Sequence, residues 1–371
     1  MSAHVVILGA GYAGLAAAKR LGRANVVVTV VNPRAEFVER IRLHQHVAGT
    51  YDATRPLEEL LPAGAELRLG SAERIDAERR IVHLGDGGQL EYDYLIYAVG
   101  SGNRRTSIPG AGRYAVGLDS WEDAVEARKR LLGLAPGAVV SIVGGGLSGI
   151  ETAAELSALR CFTVRLVTAG QLGASLSGPG RAKVRAFLAG ANVEILEHAE
   201  VAEITDGKLV LGGGQTLPSD LTIAVASVSV PDLAARSGLH TDTDGALSVD
   251  QRLVSTSSSN IVGAGDSVRL PRPLRMSCQA AVPSGVRAAH TVLALRRGRT
   301  PKPVRRKFVG QAVSLGRDDA LIQLSTLDDT PIRFLVTGRS GALTKELVCR
   351  STLTLGQVGP LRSGWSWWPG K

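Results

Sequence analysis

The sequence is poor in cysteine, and its three cysteines lie far apart. No CxxC or CxxxxC pair is formed by Cys161, Cys278 and Cys349. A disulfide framework, a thiolate zinc site and a dithiol redox motif all need paired or clustered sulfurs, so this spacing supports none of them. We therefore expect no metal site, and free thiols in a reducing cytoplasm.

Long apolar runs and targeting signals are also missing. No uncharged apolar stretch approaches the roughly 18 residues of a membrane span. A secretory signal has a basic start, whereas here Lys19 and Arg20 follow the apolar opening stretch. Met1-Ser2 lacks the glycine that N-myristoylation requires. These absences predict a cytoplasmic protein without a membrane-spanning segment.

Excess charge is absent from most of the chain. The net charge is +9, but residues 296–371 hold 14 of the 43 basic residues and only 5 of the 34 acidic ones, so residues 1–295 are neutral. No nucleic-acid partner is expected, because no recognition motif accompanies the basic segment. The basicity belongs to one C-terminal module.

Glycine, in contrast, is abundant at 44 of 371 residues. Two glycine-rich turns each stand between an apolar strand pattern and a helical pattern, 135 residues apart: Gly9, Gly11 and Gly14 after residues 4–8, and Gly144, Gly146 and Gly149 after residues 138–143. In this context the first glycine allows the tight turn, the second lets the backbone approach a pyrophosphate, and the third packs helix on strand. Two such turns predict two βαβ units that bind two dinucleotides.

The ends of the second strands predict what contacts the ribose groups. Asn32 stands where an acidic residue is usual, and its amide can still hydrogen-bond a ribose. Thr168 is the equivalent residue of the second unit, and it neither repels nor grips a 2′-phosphate, so NADH and NADPH both stay open. Arg165 and Arg181 are candidate phosphate partners, with solvated surface roles as the alternative.

A third glycine turn, Gly265-Asp266, follows the strand pattern of residues 261–263. A carboxylate at a turn beside a helix start can hold the hydroxyls of a ribityl chain, so we expect one dinucleotide to be FAD. The pattern further predicts antiparallel meanders within residues 66–97 and 192–230, and strand-like alternation over residues 308–336.

Five segments together carry a family resemblance: residues 9–14, 37–45, 92–101, 144–151 and 263–266. With them the chain resembles the FAD-dependent pyridine nucleotide oxidoreductases, and among them the type II NADH:quinone dehydrogenases and the apoptosis-inducing-factor-like quinone reductases. The resemblance implies an α/β fold with two Rossmann-like domains of the glutathione-reductase type. The expected bounds are 1–112 and 246–295 for a discontinuous FAD domain, 113–245 for the NAD(P)H domain, and 296–371 for a small C-terminal module.

The resemblance also implies roles for particular residues. FAD would contact Gly9, Gly11, Gly14, Asn32, Ala98, Gly100 and Asp266, and NAD(P)H would contact Gly144, Gly146, Gly149 and Thr168. Glu151, expected in the first turn of its helix, would stand between nicotinamide and flavin, with an exposed helix acid as the alternative. His44 would be an acceptor-site proton donor, ahead of His46, with a packed or surface role as the alternative.

The acceptor site departs from the quinone-reductase pattern. The first glutamine of that pattern is retained as Gln279, but Pro283 replaces the second, and Ala226-Ser227 replaces a Thr-Gly pair. A quinone acceptor is favoured. The alternatives are another small organic substrate or oxygen, or a flavin-bearing binding or signalling protein with little turnover. Cys278 is expected to be a small buried side chain rather than a reactive thiol.

The C-terminal module ends in three of the chain's four tryptophans, Trp365, Trp367 and Trp368. Basic residues with tryptophan can mark a membrane interface, so peripheral contact with the inner face of a membrane is one expectation, and a homodimer contact is another. Alternatively, the tryptophans cover the flavin domain or a partner subunit. No clear amphipathic helix is visible in this module.

Overall fold

A computed structural model describes residues 2–103, 108–225, 228–304 and 308–354. The chain opens with strand β1 (Ala3–Leu8), helix α1 (Tyr12–Leu21) and strand β2 (Val26–Asn32). The two strands pair in parallel, with Val5 beside Val28. β1 carries four consecutive buried residues because both faces of the sheet are covered. The first predicted βαβ unit is therefore present.

The rest of the N-terminal segment adds two small antiparallel sheets and two more strands of the parallel sheet. The elements are β3 (Glu36–Val38), α2 (Leu43–Ala48), β4 (Thr54–Pro56), α3 (Leu57–Leu60), β5 (Ala65–Leu69), β6 (Ala72–Asp76), β7 (Ile81–Leu84), β8 (Gln89–Glu91) and β9 (Tyr94–Tyr97). β5 and β9 join the parallel sheet, β3 pairs with β4, and β6, β7 and β8 form the meander predicted within residues 66–97.

A second βαβ region follows, and strand β10 (Gly102–Asn103) leads into it from the first sheet. Its other elements are α4 (Ala111–Tyr114), β11 (Ala115–Val116), α5 (Trp121–Leu132), β12 (Val139–Val143), α6 (Leu147–Ser157), β13 (Thr163–Val167), α7 (Gly178–Gly190), β14 (Glu194–Leu196), β15 (Val201–Thr205), β16 (Lys208–Leu211), β17 (Thr216–Pro218) and β18 (Leu221–Ala224). The parallel sheet has the order β11-β18-β12-β13-β14, and β15, β16 and β17 form the second meander.

The chain then returns to the first sheet through β19 (Val228–Ser229), α8 (Leu233–Arg236), β20 (Leu247–Ser248), β21 (Ile261–Gly263), β22 (Val268–Arg269) and α9 (Cys278–Leu295). β21 lies beside β9, which gives the first sheet the order β21-β9-β1-β2-β5. The two segments that cross between the sheets, β10 and β19, pair with each other in antiparallel fashion. The exact domain bounds stay a prediction.

Helices α1 and α9 make an unusually close contact. Gly285 of α9 lies against the backbone of Ala13, because a Cβ atom added there would stand 2.0 Å from the Ala13 carbonyl oxygen. The Ser284 hydroxyl, next to it, accepts the Gly265 N–H at 2.8 Å. The contact therefore brings the start of α1, the Gly265-Asp266 turn and α9 together.

The C-terminal module is a three-stranded antiparallel sheet covered by a helix: β23 (Gly310–Ser314), β24 (Ala320–Ser325), β25 (Pro331–Val336) and α10 (Gly338–Thr354). The strands agree with the predicted alternation, but helix α10 was not predicted. Its side chains depart from the usual amphipathic pattern, since buried Cys349 and the mostly covered Lys345 lie one turn apart while Leu343 and Leu347 are exposed. The three tryptophans at 365–368 lie outside the described residues. Among the described helices, none is long and apolar enough to cross a bilayer.

Candidate functional site

The first glycine turn links β1 to α1 in the geometry expected of a pyrophosphate cradle. Gly9 has φ +95°, and a Cβ there would stand 2.4 Å from the Ala98 carbonyl oxygen. A Cβ at Gly14 would stand 1.8 Å from the Gly9 carbonyl oxygen, whereas nothing lies within 4 Å of one at Gly11. Space therefore remains only at the middle glycine, which is also the N-cap of α1, where free N–H groups and the helix dipole attract a phosphate.

The second turn repeats this pattern between β12 and α6. Gly144 has φ +132° and lies against Val225, and a Cβ at Gly149 would stand 1.9 Å from the Gly144 carbonyl oxygen. Gly146 again has nothing within 4 Å and again caps its helix. Both turns thus combine two closely packed glycines with one open glycine, so both fit a dinucleotide phosphate, as FAD and NAD(P)H require.

Asn32, at the end of β2, and Thr168, just after β13, contact other groups of the protein. The Asn32 amide oxygen accepts the Ala10 N–H at 3.0 Å, and its amide nitrogen donates to the Arg34 carbonyl at 2.7 Å. Asn32 thus fixes the first turn, and its contact with ribose stays a prediction. Thr168 is buried against Gly145 of the second turn, so its ribose contact also stays a prediction.

The two candidate phosphate arginines have bonds of their own. Arg165 is buried, pairs with Glu194 at 2.7 Å and donates to the Pro218 carbonyl at 2.7 Å, which contradicts a solvated role. Arg181 donates to the Leu176 carbonyl at 2.7 Å. Both arginines thus use part of their N–H donors within the protein, and a contact of either with a 2′-phosphate stays a prediction.

Asp266 lies in a single 3-10 turn, Gly265–Ser267, directly after β21. The Ser101 hydroxyl donates to its carboxylate at 3.0 Å, and Arg40 donates to the Ser101 hydroxyl at 2.8 Å and carbonyl at 3.0 Å. Burial raises the pKa of Asp266, although the Ser101 bond and the Arg40 charge oppose that rise. Gly100 is the residue before Ser101. Nothing lies within 4 Å of a Cβ atom added at Gly100, as expected if a flavin lies there.

Glu151 lies in the second turn of α6, not the first, and it is buried with 7% of its surface exposed. The alternative of an exposed helix acid is therefore wrong. One carboxylate oxygen accepts the Ser314 N–H at 2.9 Å and lies 2.8 Å from the Lys345 Nζ, and the other lies 3.9 Å from the His44 Nδ1. Burial alone would raise the pKa of Glu151, but the Lys345 ammonium and His44 hold that pKa below its usual value.

The two histidines of α2 have different surroundings. His44 is 3% exposed, and burial lowers its pKa, with Glu151 acting in the opposite direction. Its Nε2 atom has no hydrogen-bond partner among the described residues. The lowered pKa leaves the His44 imidazole uncharged at neutral pH, and an uncharged imidazole gives up a proton less readily than the imidazolium expected of a proton donor. His44 nevertheless remains a polar group beside Glu151. His46 packs against Trp121, with ring centroids 4.3 Å apart and the ring planes tilted by 50°, which favours the packed role.

The start of α9 holds the remaining predicted residues. Ser277 caps the helix by accepting the Ala280 N–H at 3.2 Å, and Gln279 follows in the first turn. Cys278 is half-buried, and burial raises the pKa of its thiol to about 11, so the sulfur is protonated at neutral pH. Its expected structural role stays a prediction. Pro283 lies inside α9 and has no N–H to donate to the Gln279 carbonyl. Ala226-Ser227 lies outside the described residues.

A family model described as pyridine nucleotide-disulphide oxidoreductase matches residues 3–285. The chain belongs to this family. The match spans both glycine turns and the Gly265-Asp266 turn, and it ends at the residue where α9 contacts α1.

Three known proteins illustrate the similarity. An NADH dehydrogenase-like protein of Mycobacterium tuberculosis is 30% identical, with 78% of this chain and 80% of that protein covered. Demethylphylloquinone reductase of Synechocystis is 26% identical, with 86% of each covered. The solved structure of sulfide:quinone oxidoreductase from Aquifex aeolicus superposes with a TM-score of 0.84 at 21% identity, covering 97% of this chain and 93% of that one, a likeness of fold.

Membership of this oxidoreductase family confirms the predicted fold class of two Rossmann-like domains. It also confirms the predicted enzyme class, an FAD-dependent NAD(P)H oxidoreductase, and with it the two cofactors. The site residues are supported only by their geometry, and their individual roles stay predictions.

Sequence reasoning missed three residues of the site. Ser101 and Arg40 support Asp266, and both stand inside the segments that carried the resemblance, so their position was a usable signal. Lys345 had no such signal, because it lies 194 residues from Glu151 in a helix that was not predicted.

Proposed function

We propose that the protein passes hydride from NAD(P)H to FAD and then passes the electrons to a quinone-type acceptor. The observation that carries the proposal is the repeated glycine turn, in which the first and third glycines are closely packed and the second is open. A relative named NADH dehydrogenase-like supports the donor, and a relative named demethylphylloquinone reductase supports the acceptor.

Bound FAD would supply the hydride acceptance and the electron release, while the chain supplies binding, orientation and polarity. The turn at Gly11 would hold the flavin nucleotide's pyrophosphate, and the one at Gly146 that of NAD(P)H. Asp266, fixed by Ser101, would accept hydrogen bonds from ribityl hydroxyls. Glu151 would present a fixed negative charge near the nicotinamide.

A small pocket lies beside Asp266, and we propose that the acceptor approaches from this side. Its lining combines apolar and small residues with charged ones, among them Leu270, Leu274, Met276, Ala280, Asp266, Arg269 and Arg275. Met276, at this pocket, is 39% exposed. The first turn of α9, with Gln279, stands at the same edge.

Anaerobic stopped-flow absorbance tests the proposal directly. FAD-loaded protein mixed with NADH or NADPH should lose its flavin absorbance, and a quinone added afterwards should restore it. Sulfide serves as a control donor, because the fold is shared with a sulfide:quinone oxidoreductase while the thiol of Cys278 is protonated. If neither nicotinamide reduces the flavin, the proposed function is wrong.

Reoxidation separates the acceptors. Rapid return of the absorbance with oxygen or another small organic oxidant, and not with quinones, would favour the alternative that Pro283 motivates. Slow reduction with tight flavin binding would favour a binding or signalling role. The variant Asp266→Ala should lose FAD on gel filtration, whereas Asp250→Ala, at an exposed turn, should retain it.

We further propose that the C-terminal module contacts a membrane surface at the cytoplasmic face. The support is the combination of basic residues with exposed apolar side chains on α10 and β25, namely Leu343, Leu347 and Phe334 at 68%, 67% and 59% exposure. Flotation with anionic liposomes should carry the protein upward, and Leu343→Ser/Leu347→Ser should not float. A homodimer contact through the same side chains would instead appear as a change of mass in light scattering.

A further inference from the structure

Two buried glutamines of the C-terminal module face the loop between β13 and α7, residues 168–177. Gln311 of β23 and Gln323 of β24 stand directly opposite each other on neighbouring antiparallel strands. Gln311 is 7% exposed, and Gln323 is fully buried. Buried amide groups need hydrogen-bond partners, and both of these side chains have partners on the β13–α7 loop.

Each glutamine holds one serine of the loop. The Ser175 hydroxyl donates to the Gln311 amide oxygen at 2.7 Å, and the Gln311 amide nitrogen donates to the Ser175 carbonyl at 3.1 Å. The Ser177 hydroxyl and N–H donate to the Gln323 amide oxygen at 2.6 and 3.1 Å. Because main-chain and side-chain groups of both serines are bonded, the loop cannot shift without breaking these hydrogen bonds.

The loop in turn holds the second glycine turn. The Gly173 N–H donates to the Gly145 carbonyl at 2.8 Å, and the Leu176 N–H donates to the Gly173 carbonyl at 2.8 Å. Because a trans peptide unit is planar, a fixed Gly145 carbonyl also fixes the Gly146 N–H, which points the opposite way. Gly146 is the open glycine of this turn, so the loop sets the direction of an N–H group where a phosphate would lie.

We propose that Gln311 and Gln323 are positioning residues for the nicotinamide dinucleotide: through the β13–α7 loop they hold the second glycine turn in the geometry that binds its pyrophosphate. The role rests on the proposed function, which places NAD(P)H at that turn. Neither glutamine is expected to touch NAD(P)H, since both amides are directed to the loop. The C-terminal module thus takes part in nicotinamide binding although it lies beyond residues 3–285, the part that the family model matches.

The two glycine turns are held in different ways. In the first turn the Asn32 amide oxygen, from the next strand of the same sheet, accepts the Ala10 N–H at 3.0 Å. In the second turn Thr168 stands at the position of Asn32, and the Gly145 carbonyl accepts the bond from Gly173. Loss of the glutamines should therefore weaken nicotinamide binding and leave FAD binding intact.

Apolar packing holds the module on the loop but does not fix the loop's orientation. Leu172 and Leu176 of the loop are buried in one apolar cluster with Val313 and Leu321 of the module. Such contacts have no preferred direction, whereas hydrogen bonds do. A glutamine replaced by an apolar side chain of similar length should therefore leave the module docked and free the loop to reorient.

The first experiment measures equilibrium binding to the full-length, FAD-loaded protein. Isothermal titration calorimetry gives the Kd of NAD+ and of NADP+, which bind without reducing the flavin. In Gln311→Met and Gln323→Met we expect the Kd to rise roughly three- to tenfold, the effect of one lost hydrogen bond, with an unchanged ratio of flavin to protein absorbance.

The second experiment measures flavin reduction by NADH or NADPH in anaerobic stopped flow. The nicotinamide concentration at half-maximal rate should rise by the same factor as the Kd, and the limiting rate should stay at the wild-type value. This split is expected because the glutamines act on binding of the dinucleotide and not on the hydride transfer that follows.

Two further variants control for effects on the module as a whole. Ser175→Ala removes a hydroxyl on the loop side and should also raise the Kd, and adding it to Gln311→Met should add little, because the hydroxyl has then already lost its acceptor. Lys183→Met breaks a different contact between α7 and the module, the 2.8 Å-class ion pair with Asp319, and should leave the Kd unchanged. If the fully buried site of Gln323→Met prevents folding, Gln311→Met and Ser175→Ala carry the test.

The outcomes separate positioning from general support. An unchanged Kd in folded Gln311→Met and Ser175→Ala, with a lowered unfolding midpoint, would overturn the positioning role and leave a structural one. An equal rise of the Kd in Lys183→Met would overturn it as well, because the effect would then come from docking of the module. A wild type that binds NAD+ or NADP+ while neither NADH nor NADPH reduces its flavin would refute the proposed function, and the comparison of Kd values would still decide the role of the glutamines.

Discussion

Because α1 and α9 are in such close contact, we expect a large loss of stability from a single added methyl group at Gly285. In Gly285→Ala the new Cβ would stand 2.0 Å from the Ala13 carbonyl oxygen, well inside contact distance, and the obstacle is backbone rather than a flexible side chain. Overpacking of this kind costs about 1–3 kcal/mol, and the upper end applies because a helix must move. The gain in helix propensity, about 1 kcal/mol, offsets part of it. We expect a net loss of about 2 kcal/mol.

The same substitution should weaken FAD binding, because Gly11, the open glycine of the first turn, is the N-cap of α1. Urea unfolding measures the stability, and the ratio of flavin to protein absorbance after gel filtration measures the retained FAD. The matched control is Gly190→Ala at the end of α7, where nothing lies within 4 Å of an added Cβ. This control should be neutral or stabilising by up to about 1 kcal/mol. Full FAD content and wild-type stability in Gly285→Ala would refute the close-contact argument.

Three further predictions concern the site. The Gly11→Ala variant should fold normally and lose FAD. The Gly146→Ala variant should keep FAD and show a raised KM for the nicotinamide. Loss of both cofactors in either variant would contradict two separate phosphate-binding turns. Arg317→Met should destabilise the protein by about 1–3 kcal/mol in urea unfolding, since it leaves Glu155, 2% exposed, without its cation, and adding Glu155→Gln should recover much of that loss. Cys278 should react with iodoacetamide far more slowly than a free cysteine at pH 7, and about tenfold faster per pH unit towards its pKa of about 11, as followed by mass spectrometry; rapid labelling at pH 7 would contradict a buried protonated thiol.

The parts of the fold that the sequence predicted depend on local chemistry. A glycine turn between a buried strand and a helix specifies its own geometry, because only glycine fits the left-handed backbone at Gly9 and the backbone contact at Gly14. The return of the chain to the first sheet was predictable for the same reason, since Gly265 and Asp266 follow a short apolar strand. The two meanders were marked by alternation and by glycine-containing turns.

The parts that were not predicted depend on contacts between distant segments. The inward side of α10 carries Lys345, so a search for an apolar stripe could not find this helix. The state of Glu151 and His44 follows from that same lysine and from burial, neither of which can be read from the residues next to them. The fold was therefore more predictable than the protonation states within the site.

The pairing of Glu151 with Lys345 also bears on the order in which regions of the chain become stable during synthesis. Residues 147–157 leave the ribosome long before residues 338–354, so α6 can form while its carboxylate has no cation. Because an unpaired buried carboxylate is unfavourable, docking of α10 should stabilise the region around α6. A chain interrupted before α10 would lack the Lys345 ammonium and would leave the Glu151 carboxylate without its cation.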